Sequence, residues 1–160
     1  DVEETGKDFE ENAILKAKNA FTKTNISSVG DDSGLIVPAI NNEPGLYSAR
    51  YAGLNATDSD NRNKLISKLK DNKLESTYAY FFCCIVAVGI KGQNEIIVCD
   101  GKVEGEVRTI ERGEKGFGYD PMFYPKGYSE SFAELNSLEK NKISHRGQAL
   151  KKLMDKLNKT

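Results

Sequence analysis

Several large classes of protein are excluded by what this chain lacks. Its net charge is only −1, so it has no general electrostatic attraction to nucleic acid or to a membrane surface. No apolar run approaches the roughly 20 residues that a membrane-spanning helix needs. The length of 160 residues and an apolar content of 38% instead predict one globular domain that buries a real core.

Cysteine is scarce as well, with three residues at Cys83, Cys84 and Cys99. Their number is odd, and their spacing is not that of a metal site. All three lie in apolar, strand-like runs, where a cysteine is usually a small reduced core residue. We therefore predict a cytoplasmic protein.

Common nucleotide-binding and hydrolase motifs are also missing. The chain has no Gly-x-x-x-x-Gly-Lys-Ser/Thr loop and no Rossmann fingerprint. Ser33 does not stand in the Gly-x-Ser-x-Gly elbow of serine hydrolases, which disfavours that chemistry although His145 and several aspartates are present. Any nucleotide must therefore be bound by other means.

Caps and the helical spacing of apolar residues predict four helices. The predicted helices are 8–24 with Asp8 as cap, 57–71 with Thr57 as cap, a short helix around 131–140, and a last helix capped by Ser144.

Runs of β-branched and aromatic residues predict the strands 29–37, 77–90, 95–99 and 102–110. We expect a turn at Asp31 to Gly34 to interrupt the first strand, and Asp100-Gly101 to form a hairpin turn between the last two. Residues 41–56 carry many Gly, Pro and Asn breakers and are predicted to be a loop. The sequence as a whole predicts one α/β domain over residues 1–160.

Gly116 to Pro121, with the sequence Gly-Phe-Gly-Tyr-Asp-Pro, is the most informative segment. It places two aromatic rings and a carboxylate between glycines that permit unusual backbone conformations. Stacking of a nucleobase on such a ring is worth about 1–3 kcal/mol. The alternative is a tight turn whose rings fold back into the core.

Adjacent carboxylates at Asp31 and Asp32 form a second candidate site, because hard cations such as Mg²⁺ prefer oxygen ligands. One carboxylate can serve a metal while the other orients or deprotonates water. Glu3 or Glu4 could add a carboxylate, and Lys16 could face a phosphate. The alternatives are a solvated turn at Asp31-Asp32, and an acidic segment at Glu3-Glu4 that complements a helix dipole.

His145 and Arg146 form a third candidate site at the start of the last helix, where free N–H groups favour anions. The planar guanidinium of arginine suits phosphate, and Lys140 precedes the pair. This group is a candidate clamp for a phosphate or a base edge.

Five segments in this order resemble the inosine triphosphate pyrophosphatase family, and the bacterial branch fits best. The matching segments are 3–17, 31–35, 44–51, 116–121 and 144–147. The resemblance implies an elongated α/β fold, with a long mixed β-sheet flanked by helices and two lobes around a central cleft. It also implies a homodimer, with no nucleic-acid or membrane partner.

The implied reaction is the Mg²⁺-dependent hydrolysis of non-standard purine nucleoside triphosphates (ITP, dITP, XTP) to the monophosphate and pyrophosphate. Under this resemblance Asp32 is the general base beside Asp31, and the metal is held by Glu4 or Glu3 together with Asp32. The implied substrate-binding residues are Lys16, Ser33, Phe117, Gly118, Tyr119, Asp120, Lys140, His145 and Arg146.

The family's N-terminal Ser/Thr-Gly-Asn-x-x-Lys phosphate loop does not occur in these 160 residues. The abrupt start at Asp1 favours a sequence that continues upstream. The alternative expectation is a catalytically inactive nucleotide-binding or dimerisation protein derived from this family. A related hydrolase that prefers another base is a third hypothesis.

Overall fold

A computed structural model describes residues 2–92 and 94–159. Its helices are α1 (Phe9–Thr24), α2 (Asp58–Asp71), α3 (Ser137–Ile143) and α4 (His145–Asn158). Its strands are β1 (Ser28–Val37), β2 (Glu43–Pro44), β3 (Ser76–Val88), β4 (Ile96–Arg108) and β5 (Phe123–Pro125). The five strands form one sheet in the order β2-β1-β3-β4-β5, and the β1–β2 and β4–β5 pairs are antiparallel.

The chain divides into two compact units, each made from separate segments. Unit 1 comprises Asp1–Ser33, Phe82–Lys102 and Ser144–Thr160, and unit 2 comprises Gly34–Phe81 and Val103–Ile143. The prediction of a single domain over residues 1–160 stays a prediction.

Each unit has its own apolar core. In unit 2 three buried phenylalanine rings, Phe81, Phe123 and Phe132, pack with their centroids 4.7–5.9 Å apart. In unit 1 the small residues Ala13 and Ala17 of α1 pack on the β3 residues Cys84, Val86 and Val88. The other face of β3 in unit 1 packs on α4 through Cys83, Ile85, Ala87, Ala149 and Leu153.

Three of the predicted helices form where their caps indicated. The Asp8 side chain accepts from the Glu11 N–H, and the Ser144 hydroxyl accepts from the Gly147 N–H. Thr57 and Asp60 form a complete capping box at α2. These caps satisfy backbone N–H groups that the first turn leaves without intrahelical partners.

The predicted interruption of the first strand is wrong, because β1 runs unbroken through Asp31 to Gly34. The segment suggested a turn because Asp, Ser and Gly are the usual turn residues. In the folded protein Asp32 contacts Lys16 and Asp31 contacts Arg146, so each charge has a cationic partner. The strand therefore tolerates both carboxylates, one on each face.

The predicted turn at Asp100-Gly101 is also wrong, because β4 continues through both residues as a single strand. A Cβ on Gly101 would lie only 2.0 Å from the His145 carbonyl oxygen and 2.8 Å from the Ala149 nitrogen. Glycine is needed here for the close approach of α4 to the strand, and not for a turn.

Two further segments differ from expectation. α3 begins at Ser137 and not near 131, and the expected loop contains β2 followed by a 3-10 helix at Gly45–Arg50. Among the described residues, no helix is long and apolar enough to cross a membrane.

Candidate functional site

An acidic cluster in unit 1 is organised around the ammonium group of Lys16. α1 carries Lys16, whose Nζ lies 2.6 Å from Glu4 Oε1 and 3.3 Å from Asp32 Oδ1. The same Nζ donates to the Asp31 carbonyl oxygen at 3.0 Å. The segment before α1 carries Glu4 and strand β1 carries Asp32, so two carboxylates meet at one cation of helix α1.

Asp32 is the most buried carboxylate of this cluster, with a side chain 9% exposed. Its Oδ2 atom is buried and has no hydrogen-bond partner among the described residues. Burial raises the pKa of Asp32, the charge of Lys16 opposes that rise, and Glu4 adds to it. The net pKa is raised, which is typical of a carboxylate that takes up a proton during catalysis.

For Lys16 the charged neighbours, and not burial, decide the direction of the pKa shift. Burial lowers its pKa, but the hydrogen bond to Glu4 and the charge of Asp32 outweigh that effect and raise it. Lys16 therefore stays protonated at neutral pH and holds Asp32 through Oδ1, leaving Oδ2 for another partner.

Asp31 faces a different group. Its Oδ2 lies 3.0 Å from Arg146 Nη2, which also lies 3.4 Å from the Ser33 hydroxyl. The cap at Ser144 fixes the first turn of α4 and with it the position of Arg146. Three residues predicted from two separate motifs are therefore brought together within unit 1.

Of the two candidate glutamates, Glu4 contacts Lys16, whereas Glu3 is exposed. His145 is buried at the first position of α4, next to Arg146.

The donor set of the acidic cluster fits a divalent cation. Glu4 and Asp32 already share one cationic partner, and both carboxylates supply oxygen ligands of the kind that Mg²⁺ prefers. Within residues 2–92 and 94–159 no group of three or more His, Cys, Asp or Glu side chains is arranged as a metal cage. Two carboxylates are nevertheless enough for Mg²⁺, which is usually bound by one or two carboxylates together with substrate phosphates.

The aromatic loop, residues 116–121, lies in unit 2 and is held by its own carboxylate. Asp120 Oδ2 accepts from the Phe117 N–H at 3.0 Å, and the Asp120 N–H donates to the Phe117 carbonyl. Gly116 adopts φ +75°, and a Cβ there would lie 2.1 Å from Asp120 Oδ2. Glycine is therefore required for this turn.

The two rings of the loop have opposite environments. Tyr119 is 4% exposed, and its hydroxyl donates to the Ser48 carbonyl at 2.7 Å. Phe117 is 61% exposed. The core alternative is thus correct for Tyr119, while Phe117 presents the ring that a nucleobase could cover.

Lys140 of α3 joins the aromatic loop. Its Nζ lies 2.5 Å from Asp120 Oδ2 and 4.7 Å from the centroid of the Phe117 ring. The residues expected to form one basic clamp are divided between the units, because Lys140 belongs to unit 2 and Arg146 to unit 1.

Sequence reasoning missed two groups that contact these residues. Asp58 and Arg62 of α2 bind the backbone of Gly118, and their i, i+4 spacing was the available signal. Burial raises the pKa of Cys83 to about 11, and the nearby Asp31 adds to that rise while Arg146 opposes it. Cys83 is therefore an unreactive thiol beneath the Asp31–Arg146 pair.

Comparison with known proteins identifies the family. The Ham1 family model matches residues 1–156. The chain is 47% identical over 159 residues to the dITP/XTP pyrophosphatase of Idiomarina loihiensis, covering 99% of this chain and 79% of that protein. It is 46% identical over 157 residues to the protein of the same name from Bacillus anthracis, covering 98% and 78%.

Solved structures agree with the sequence comparison. A HAM1 protein from Coxiella burnetii matches with a TM-score of 0.93 and 43% identity, covering 100% of this chain and 81% of that chain. The Staphylococcus aureus Ham1 protein matches with a TM-score of 0.89 and 46% identity, covering 99% and 80%. The chain belongs to the Ham1 family, and both the predicted resemblance and the α/β class are confirmed.

Proposed function

We propose that this protein hydrolyses deaminated purine nucleoside triphosphates such as ITP, dITP and XTP to the monophosphate and pyrophosphate. The observation that carries the proposal is Asp32, a buried carboxylate with a raised pKa and one oxygen that accepts no hydrogen bond from the described part of the chain. The relatives named dITP/XTP pyrophosphatase support the substrate class.

In the proposed reaction, a water molecule attacks the α-phosphorus. Asp32 Oδ2 takes one proton from that water as the new P–O bond forms. The bond from the α-phosphorus to the bridging oxygen breaks, and pyrophosphate leaves with the bonding electron pair. The hydrogen bond from Lys16 Nζ holds Asp32 Oδ1 in place. The orientation of Oδ2, the oxygen that accepts the proton, is therefore fixed. Such displacement needs positioning and charge neutralisation more than covalent chemistry.

We infer that Mg²⁺ is the cofactor and that Glu4 and Asp32 hold it. When bound, Mg²⁺ neutralises phosphate charge and polarises the phosphorus centre. Arg146 is the second cationic group near Asp31 and is proposed to hold phosphate oxygens through its planar guanidinium. Ser33 and His145 are proposed to contact the substrate beside it.

Selectivity for the base is proposed to arise at the aromatic loop. Phe117 stacks on the purine, and Gly118, Tyr119 and Asp120 shape the pocket. Lys140 Nζ lies over one face of the same ring, and an ammonium group can only donate hydrogen bonds. It therefore favours the 6-oxo group of hypoxanthine or xanthine over the 6-amino group of adenine, which leaves a donor unpaired.

Pyrophosphate release from ITP, dITP, XTP, GTP and ATP, with and without Mg²⁺, tests the proposal. We expect Mg²⁺-dependent release from the first three and little from GTP and ATP. Guanine shares the 6-oxo group, so its rejection must depend on the 2-position of the base. Asp32→Asn should lower kcat by about 10²–10⁴-fold, the usual contribution of a general base, while ITP still binds. Asp100→Asn is the matched control, because Asp100 pairs with Lys152 on the exposed surface of the same unit.

Full turnover by Asp32→Asn would refute the assigned role of Asp32. ITP binding without pyrophosphate release from the wild-type chain would instead favour the inactive nucleotide-binding protein. We also infer a cytoplasmic homodimer, for which sedimentation equilibrium is the test. The exposed Tyr47 in the segment 44–51 is a candidate contact.

A further inference from the structure

Two side chains of helix α2, one helical turn apart, form hydrogen bonds with the aromatic loop. Asp58 Oδ2 accepts from the Gly118 N–H at 2.8 Å, and Arg62 Nη1 donates to the Gly118 carbonyl oxygen at 2.8 Å. Residues at i and i+4 share one face of a helix, so a single face of α2 engages both backbone groups of one glycine. All of these groups belong to unit 2.

The helix that carries these side chains is itself well anchored. Its N-terminus has a complete capping box, and Leu65 and Leu69 are fully buried in the core of unit 2. Arg62 also pairs through Nε with Glu111, and its side chain is only 19% exposed. A fixed guanidinium loses little freedom when it binds a carbonyl, so the contact with Gly118 is pre-organised.

Gly118 is the residue where the loop most needs such support. It adopts φ +59°, and the Cβ position has open space around it, so its conformation is not enforced by packing. Its two peptide planes connect Phe117 to Tyr119, which is anchored in the core through Ser48. Holding both planes therefore fixes the direction in which Phe117 leaves the anchored part of the loop.

We propose that Asp58 and Arg62 are positioning residues that hold Phe117 ready to stack on the purine. This inference rests on the proposed function. It assigns to α2 a part in substrate affinity, because a ring held in place loses less conformational freedom when the base binds. We call this pair the Gly118 clamp. It does not affect the chemical step at phosphorus.

Four variants separate the clamp from general stability. Asp58→Ala and Arg62→Met each remove one hydrogen bond to Gly118. Asp58→Asn is the rescue variant, because its amide oxygen can still accept from the Gly118 N–H. Arg108→Met is the matched control, since Arg108 also pairs with a glutamate, Glu106, and stacks on a tyrosine in unit 2.

Two readouts are measured on the full chain: steady-state hydrolysis of ITP with Mg²⁺, and hydrogen exchange of the peptide that covers 116–121. For Asp58→Ala and Arg62→Met we expect KM to rise about 5- to 30-fold while kcat stays within about 2-fold. Exchange at 116–121 should accelerate while exchange in β3 is unchanged. Asp58→Asn and Arg108→Met should behave like the wild type.

Unchanged exchange at 116–121 would overturn the proposal, as would faster exchange there with an unchanged KM. Faster exchange throughout the chain would also overturn it, by showing that the pair stabilises the whole fold. A wild-type chain that releases no pyrophosphate would refute the proposed function instead, and the exchange rates alone would then decide whether the clamp exists.

Discussion

Replacement of Lys16 by Met is the sharpest test of the acidic cluster, because one ammonium contacts both Glu4 and Asp32. Methionine keeps the length and the apolar stem of lysine but removes the charge. Two carboxylates that shared a cation then repel each other, and Asp32 remains nearly buried. We expect Lys16→Met to destabilise the fold.

The size of the effect follows from the burial of the three groups. Breaking a fully buried ion pair costs about 3–5 kcal/mol, and an exposed pair contributes about 0–1 kcal/mol. The side chains of Lys16, Glu4 and Asp32 are 31%, 22% and 9% exposed, which places the cluster between these limits. We expect a loss of about 2 kcal/mol, or a Tm lowered by about 4–8 °C.

The stability lost in Lys16→Met should decrease as the pH falls. The pKa of Lys16 is raised in the folded state, so Lys16 stays charged throughout the acidic and neutral range. The pKa of Asp32 is raised, so its ionised form costs stability above that pKa, and protonation recovers the cost as pH falls. Removing Lys16 raises that pKa further, so the penalty should shrink as the pH falls toward and below that pKa.

Thermal unfolding of wild type, Lys16→Met and Lys152→Met at a series of pH values provides the measurement. Lys152 pairs with Asp100 on the surface and reports the loss of an ordinary exposed ion pair. Added Mg²⁺ should raise the Tm of Lys16→Met more than that of the wild type, because Mg²⁺ can take the place of the lost ammonium group beside Glu4 and Asp32. A Lys16→Met protein as stable as Lys152→Met, or a penalty independent of pH, would refute the reasoning.

Substitutions at three further positions have definite expected outcomes. Phe117→Leu should raise KM for ITP about 5- to 30-fold at nearly constant kcat, because it removes a stacking surface, and steady-state kinetics would detect this. Gly101→Ala should cost about 3 kcal/mol in urea unfolding, because its Cβ would collide with the His145 carbonyl. Thr57→Ala should cost about 1 kcal/mol and Thr57→Ser much less, because serine still caps α2; equal losses would contradict the capping role.

Local signals predicted much of the fold. The caps of α1, α2 and α4 were read correctly because a side chain at that position satisfies N–H groups in its own helix. The turns assigned within β1 and β4 were wrong for a different reason. In both strands the deciding partner lies far away in sequence: Arg146 for Asp31, and α4 for Gly101.

The same distinction between local signals and distant partners holds for the candidate site. The residue types in the motifs were sufficient to select Asp32, Lys16 and Phe117 as candidates. The contact of Lys140 with Asp120, and the contacts of Arg62 with Gly118, could not be predicted because they join elements without a fixed spacing in sequence. The choice between Glu3 and Glu4 likewise depended on the packing of α1.

The discontinuous make-up of the two units has a consequence for synthesis on the ribosome. Unit 2 has all of its residues once position 143 has been made, but unit 1 must wait for its last segment, 144–160. Helix α1 emerges before β3, and its partners Cys84, Val86 and Val88 follow some sixty residues after the end of the helix, so its apolar face stays uncovered meanwhile. The nascent chain therefore completes the unit with Phe117 before the unit with Asp32, against the usual order from the N-terminus.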